Sequence, residues 1–526
     1  MNLPTLPDSI AFLKNPASFP VPTRSVEIIQ THISVVAMTD TYVYKLKKPV
    51  LFNFLDFSTL EKRLHFCEEE IRLNRRLSPD LYVGLIPLYA EAGQLSFEPG
   101  GELVDYVIQM RRLADEGMLI NLIKRPDFSP ITLDRVAATL LAFYQDLLKN
   151  QEPQTYGDVK QLRQTVEEIF QGFQLPPSPE LSAPITRLLQ EYLFDFLEKH
   201  ADLITKRVQT GRIVEGHGDL RSEHVHIQNG EINIYDCLEF DKKLRTVDWL
   251  NDVAFLLMDL DYRQRQDLAQ RLETSLLLKL ETEDVSPLLN FYKTYRACVR
   301  AKVNALKLAE EEVPLSVREA SKRKAYRYYQ LALRYALLGS TPTVVVCMGG
   351  VASGKSTLAR TLASWLNITH LNSDVIRKQQ AGLSLYTRLD DAHRPALYTP
   401  EATEKLYADM TLRAHQETQQ RGAVILDATY RNEEHLRSLH DYCEQNELKL
   451  LVLHTTAPEE VVRQRLKQRE SENTVSDMRI SDYDPTTFGV HYEVSKITSK
   501  VAHLSTEVSV EALLVESVIP WLRQQL

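Results

Sequence analysis

No two of the five cysteines (Cys67, Cys237, Cys298, Cys347 and Cys443) are spaced as CxxC, and their number is odd. A disulfide framework or a zinc knuckle is therefore not expected, and reduced thiols in a cytosolic protein are the simpler reading. The chain lacks any uncharged apolar run of ~18 residues, so no membrane-spanning helix is expected. Met1 to Pro22 carries no basic stretch followed by an apolar core, and so does not read as a signal peptide. An excess of positive charge is missing too: 62 Lys and Arg face 71 Asp and Glu, a net charge of −9. That argues against coating nucleic acid or an anionic membrane through bulk electrostatics, although a local basic groove is compatible with it. Internal repeats and low-complexity tracts are absent. What is present is ordinary for a soluble globular protein, with 44% hydrophobic and 25% charged residues. At 526 residues the chain exceeds one compact core, and domains of about 100–200 residues predict more than one unit.

Glu27 to Pro49 alternates as a β-hairpin around Thr39-Asp40-Thr41. Thr59 to Leu77 reads as an amphipathic helix stopped by Ser78-Pro79. Tyr82 to Ile86, Gln94 to Phe97 and Asp105 to Met110 read as strands. Helical periodicity takes over from Leu133 to His200, short strands return between Arg212 and Asp241, and Asp248 to Ala336 is again mostly helical. Gly339-Ser340-Thr341-Pro342 breaks the pattern and suggests a border between domains 1–338 and 339–526. Beyond it, apolar strands at Thr343 to Met348, Ile368 to Leu371, Ala423 to Leu426 and Leu448 to His454 alternate with helices, which predicts a parallel sheet covered on both faces.

The segment Gly349-Gly350-Val351-Ala352-Ser353-Gly354-Lys355-Ser356 fits G-x-x-x-x-G-K-[ST], with an apolar strand before it and a helix, from Lys355 through Thr357 onward, behind it. Glycines let backbone N–H groups converge on phosphate oxygens, and the helix N-terminus adds partial positive charge. Lys355 would reach the β- and γ-phosphates of ATP, and the Ser356 hydroxyl would bind Mg²⁺. Asp427, closing the strand Val424-Ile425-Leu426, reads after a P-loop as a Walker-B metal ligand, with a helix N-cap or turn aspartate as the alternative.

Asn372-Ser373-Asp374-Val375-Ile376-Arg377 resembles the SDxxR element of small P-loop kinases, among them predicted AAA-type kinases and relatives of gluconate kinase, polynucleotide 5′-kinase and zeta toxins. The resemblance runs from Thr343 to about Leu526. It implies Asp374 as the catalytic base facing an acceptor hydroxyl, and Arg377 as a substrate or phosphate contact. A helix-capping Ser-Asp pair is the plainer alternative. Arg463, Arg465 and Arg469 look like the lid-region arginines of that group, with guanidinium groups that would stabilise the transferring phosphoryl. Arg465 and Arg469, four apart, share a helix face. Glu470 to Thr487 would be a mobile lid.

A second constellation lies upstream. Glu215-Gly216-His217-Gly218-Asp219-Leu220-Arg221-Ser222-Glu223-His224 is followed by Asp236, 17 positions after Asp219 (236 − 219). This resembles the aminoglycoside phosphotransferase and choline kinase group, a branch of the protein-kinase-like fold, over roughly Val26 to Arg334. The resemblance implies Asp219 as catalytic aspartate, Asp236 as the Mg²⁺ ligand, and Lys45 paired with Glu70 at the phosphates. It makes Asp105 to Met110 the hinge that grips adenine. Lys47 shares a face with Lys45 and competes for its role. His224 stands where the group has asparagine as second metal ligand, and Mg²⁺ prefers oxygen. The hairpin before Lys45 also has no glycine.

Together these motifs resemble predicted bifunctional bacterial proteins that join an aminoglycoside phosphotransferase-like domain to an AAA-type kinase domain. The expected architecture is an α+β protein-kinase-like N-terminal domain followed by an α/β P-loop domain whose parallel sheet is flanked by helices. The expected reaction is ATP- and Mg²⁺-dependent phosphoryl transfer to a hydroxyl, on a small molecule or a nucleic-acid end. A nucleotide-binding regulator with a pseudokinase N-terminal domain is the alternative. No membrane partner is expected, and the expected location is the cytoplasm.

Overall fold

The computed structural model describes residues 4–52, 55–149, 156–171, 183–308, 313–386, 397–470, 480–484 and 489–526. The chain forms two compact units: 1–162 with 200–259 and 271–282, and 163–199 with 260–270 and 283–526.

In the first unit, alternating β-branched and aromatic residues build a six-stranded antiparallel sheet. Its order is Glu27–Gln30, Ser34–Met38, Tyr42–Lys47, Glu102–Arg111, Tyr82–Glu91, Gln94–Ser96. Val35, Ala37, Tyr44, Leu46 and Val107 turn to one face and pack with Leu13 and Phe19. Ile108, Met110 and Tyr82 turn to the other, against Cys67 and Ile71 of the helix Leu60–Asn74. Thr59 caps that helix, its hydroxyl accepting from the Lys62 N–H at 3.3 Å; such a cap is worth ~1 kcal/mol. The strand Ile213–Glu215, pairing Thr246–Asp248, and the hairpin Val225–Gln228/Glu231–Ile234 carry the catalytic-loop motif. The helix Trp249–Tyr262 follows, and its Asp252 and Asp259 bond backbone N–H groups of that motif.

Sheet pairing corrects one expectation. Asp105 to Met110 lies inside the strand Glu102–Arg111, which is hydrogen-bonded to Tyr42–Lys47 on one side and Tyr82–Glu91 on the other. Its peptide groups serve the sheet and cannot form an adenine-gripping hinge.

The second unit holds a five-stranded parallel sheet in the order Thr369–Asn372, Ala423–Asp427, Thr343–Gly349, Lys449–Thr456, Val501–Ser505. All seven residues of the central strand are buried, as a sheet covered on both faces requires. Val344, Val346, Met348, Val424 and Leu426 meet Leu406, Met410 and Ala414 of the helix Pro400–Arg421 and Leu436 and Leu439 of the helix Glu433–Gln445. The helix Lys355–Leu366 follows the phosphate loop. The antiparallel helices Ser286–Leu306 and Leu315–Leu338 belong to this unit as well, and Gln330 Nε2 donates to the Ser364 carbonyl at 2.8 Å. Position 338/339, where the sequence pattern breaks, therefore lies within the second unit. No helix among the described residues is long and apolar enough to cross a membrane.

Candidate active sites

The phosphate loop joins the central strand to the helix Lys355–Leu366, at the carboxyl end of the sheet, where ligands of open α/β sheets bind. Two glycines are there for stated reasons. Gly349 has φ +147°, and a Cβ on it would stand 2.3 Å from the Thr455 carbonyl oxygen. Gly354 has φ +91°, and a Cβ there would press on the Thr506 side chain at 3.0 Å. Ala352 also adopts positive φ, +56°, and is held by packing on Val462 and Leu466. Backbone in this region costs a non-glycine residue about 1–3 kcal/mol and persists only where neighbours over-determine it. The neighbours do so here. Ser353 Oγ lies 2.7 Å from Thr455 Oγ1, which donates to the Met348 carbonyl at 3.0 Å. Thr506 Oγ1 donates to the Ser353 carbonyl at 2.7 Å. Gly350 and Val351 are half-buried at the mouth of the loop, and Thr357 is exposed in the first helical turn.

Lys355 and Ser356 open the helix. Ser356 Oγ donates to Asp427 Oδ1 at 3.2 Å. Asp427 is fully buried at the end of its strand, and its other oxygen accepts from Asn372 Nδ2 at 2.6 Å and faces His370 Nε2 at 3.0 Å. Burial pushes this carboxyl up. The His370 hydrogen bond, the charges of Lys355 and His370 and the Asn372 hydrogen bond outweigh burial, so its pKa lies below the usual carboxylate value. An ionised carboxylate beside a serine hydroxyl is an oxygen donor set that suits Mg²⁺.

Asp374 lies in the first turn of the helix Ser373–Gln380. The cap of that helix is Asn372, whose Oδ1 accepts from the Val375 N–H at 3.0 Å, so neither Ser373 nor Asp374 fills that position. Arg377, one turn on, ties down neighbouring chain: Nη1 donates to the Leu397 carbonyl at 2.5 Å, and the guanidinium lies over the Tyr398 ring at 4.5 Å. Arg465 behaves similarly. It donates to the Ala352 carbonyl at 3.1 Å and to Thr506 Oγ1 at 2.9 Å, bracing the phosphate loop from the side. Arg463 pairs with Glu459 at 2.7 Å, and Arg469 is half-buried on the same helix Glu459–Glu470. The expected lid, Glu470 to Thr487, lies for the most part outside the described residues.

In the first unit the residues of the expected catalytic loop converge with Lys45 and Glu70. Lys45 Nζ bonds Glu70 Oε1 at 2.8 Å and Asp236 Oδ1 at 3.2 Å. Lys47 Nζ bonds Glu70 Oε2 at 2.7 Å and also meets Glu239. Two strand positions apart, the lysines therefore differ: Lys45 reaches Asp236, while Lys47 is fully buried between two carboxylates. Burial works against every charge in this cluster, and the opposite charges win. Glu70 is held below its usual range by Lys45 and Lys47, and Lys45 well above its own by Glu70 and Asp236. Asp236, at φ +64°, is likewise held low by Lys45 and His224 against burial.

Asp219 is gripped on both oxygens by Arg221, Nε at 2.9 Å and Nη2 at 2.7 Å. His217 donates from Nε2 to the Tyr235 carbonyl at 2.9 Å and accepts the Asp219 N–H on Nδ1 at 3.3 Å. Beneath the loop, Asp252 accepts the His217 and Gly218 N–H groups, both at 2.8 Å, and the Tyr144 hydroxyl at 2.9 Å. A Cβ on Gly216 would stand 2.4 Å from Asp252 Oδ2, so the loop can sit this close only with glycine.

Sequence reasoning missed Asp252, Asp259, Arg221, Glu239, His370, Asn372 and Thr506. One signal was available. Asp252 and Asp259 stand seven residues apart on the mostly apolar helix Trp249–Tyr262, and both hold the 216–222 loop, Asp259 through the Ser222 N–H at 3.0 Å. Arg221 reaches Asp219 within the same loop, while Glu239, His370, Asn372 and Thr506 meet their partners only through long-range packing.

The two halves therefore define two fold classes: a protein-kinase-like arrangement of sheet, helix and catalytic loop, and an α/β P-loop domain with a parallel five-stranded sheet. Residues 344–483 match the AAA domain family. An uncharacterized protein of Mycobacterium tuberculosis strain H37Rv is 28% identical over 408 residues, 77% of this chain and 78% of the relative. A gluconokinase from Sinorhizobium meliloti is 16% identical and superposes with a TM-score of 0.26, covering 35% of this chain and 93% of its own. A choline/ethanolamine kinase family protein from Mesorhizobium loti is 12% identical with a TM-score of 0.37, covering 62% of this chain and 98% of its own. The fold assignment rests on the strand orders and loops described above.

Proposed function

We propose that this protein is an ATP-dependent phosphotransferase that moves the γ-phosphoryl group to a hydroxyl, chiefly through residues 339–526, with a second, kinase-like nucleotide site in residues 1–338. The observation that carries the reading is the junction of Lys355, Ser356 and Asp427 at the carboxyl end of the parallel sheet, with Asp374 opening the next helix.

In this reading the loop 349–354 and the helix N-terminus cradle the phosphates, and Lys355 neutralises charge as the phosphoryl moves. A Mg²⁺ ion held by Ser356 and Asp427 would supply further neutralisation of phosphate charge. His370 and Asn372 occupy one oxygen of Asp427 and leave Oδ1 toward Ser356. Asp374 accepts the acceptor's hydroxyl proton. Arg465 acts by bracing the loop through Ala352, and Arg377 by fixing Leu397 and Tyr398. Arg469, four residues on from Arg465 along the same helix, would add positive charge toward the transferring phosphoryl. The acceptor class is a small-molecule or nucleic-acid-end hydroxyl.

A specific observation favours a second reading for the N-terminal half, that it senses nucleotide for its neighbour. Arg221 engages both oxygens of Asp219, the group that would orient an acceptor. Product analysis with Asp219→Ala and Lys355→Ala proteins separates the two. A product lost only with Asp219→Ala assigns chemistry to the first half, and an unchanged product spectrum assigns it regulation.

A further inference from the structure

The kinase-like site and the metal ions such a site would hold do not match in full, and the mismatch is local. Asp236 offers carboxylate oxygens, its side chain 45% exposed. The second ligand position is His224, and its ring is committed. A carbonyl oxygen only accepts, so the 2.9 Å contact between His224 Nδ1 and the Asp219 carbonyl places the proton on Nδ1. Nε2 faces Arg221 Nη2 at 3.4 Å, with Asp236 Oδ2 3.5 Å away. Arg221 is buried, and it also pairs with Asp219 and Glu223. A guanidinium, always charged, thus bridges His224 Nε2 and the Asp219 carboxylate. A second divalent cation there would meet a nitrogen in place of an oxygen, and a fixed positive charge beside it.

We propose that the N-terminal site takes nucleotide with one divalent cation, on Asp236, and that the buried Arg221 guanidinium, kept in place by His224, stands where a second cation would bind. This rests on the reading that the first half is a nucleotide site at all. On the other side of Asp236, Lys45 at 3.2 Å already supplies a second fixed cation, so charge neutralisation does not require another metal.

The test counts ions and nucleotides separately in the full chain carrying Lys355→Ala. Mn²⁺ is the probe, its free signal read by electron paramagnetic resonance. The β,γ-imido analogue of ATP is the nucleotide, counted by equilibrium dialysis. Subtracting the counts of the same protein with Asp236→Ala assigns both to the N-terminal site. The expected result is one Mn²⁺ per N-terminal nucleotide, rising to two when His224→Asn and Arg221→Gln are combined. Two Mn²⁺ before those substitutions, or still one after them in a protein that melts normally, overturns the proposal. If the double variant does not fold, the count in its parent decides alone. Nucleotide absent from the N-terminal site in dialysis overturns the underlying reading, and the proposal with it.

Discussion

Asp427 receives three donors on two oxygens, and Lys355 stands close enough to lower its pKa. Side chains held this firmly suit a reaction in which the protein mainly positions groups and neutralises charge. Asp374 is assigned a different task, and its replacement separates binding from chemistry. Asp374→Asn is expected to lower kcat by ~10²–10⁴ while leaving the KM for ATP within about threefold, since a general base acts on the acceptor's proton and not on the nucleotide. Steady-state kinetics checks this, and an unchanged kcat removes Asp374 from the chemistry. At Gly349 the argument is steric. Gly349→Ala would set a Cβ 2.3 Å from the Thr455 carbonyl, so the loop must shift. We expect nucleotide affinity to fall at least ~10-fold, the equivalent of about 1.4 kcal/mol, by calorimetric titration. The glycine-lysine motif was legible because loop, strand and helix are contiguous in sequence. The contacts of Arg465 were not legible, since Ala352 and Thr506 reach it only through the fold.

Between elements, arginines join the helix Leu60–Asn74 to the catalytic loop. Arg76 donates to the Glu215 and Gly216 carbonyls at 2.6 and 2.9 Å, and Arg72 and Arg245 each bond the Glu215 carboxylate at 3.1 Å. Burial pushes Glu215 up, but its hydrogen bonds with Arg72 and the charges of Arg72, Arg245 and Arg76 lower it to about 2 from 4.5. A depressed folded-state value stabilises the fold above pH ~4.5, and that contribution is lost as pH falls from there toward 2. The shift corresponds to roughly 3 kcal/mol at most. Glu215→Gln should therefore destabilise the first unit at pH 7 by about 1–3 kcal/mol and flatten its stability between pH 4.5 and 2, as followed by urea unfolding. An unflattened profile would show that Glu215 does not carry this linkage. The helix itself was readable from its amphipathic pattern, though it ends at Asn74, ahead of the Leu77 expected from the Ser78-Pro79 stop. The edge strand Val501–Ser505 was not. Its alternation of exposed and buried residues is short, and its place is fixed by pairing with Lys449–Thr456. The supposed hinge failed for a related reason. An apolar alternating run looks the same whether its peptide groups are free or paired on both sides.

Across the whole molecule, motif order conveyed both fold classes, because each motif demands a particular strand-loop-helix setting. Packing was less legible: the helices Ser286–Leu306 and Leu315–Leu338 group with the P-loop sheet, although they precede the break at Gly339 in sequence. The central claim is that phosphoryl transfer belongs chiefly to the P-loop half. It is tested most directly by offering γ-labelled ATP with a panel of hydroxyl metabolites and oligonucleotides to wild type, Lys355→Ala and Asp219→Ala proteins. We predict a labelled acceptor with wild type, retention of that product with Asp219→Ala, and a loss of at least ~100-fold with Lys355→Ala. Label that survives Lys355→Ala, or nucleotide that binds wild type while no acceptor is ever labelled, would contradict the account.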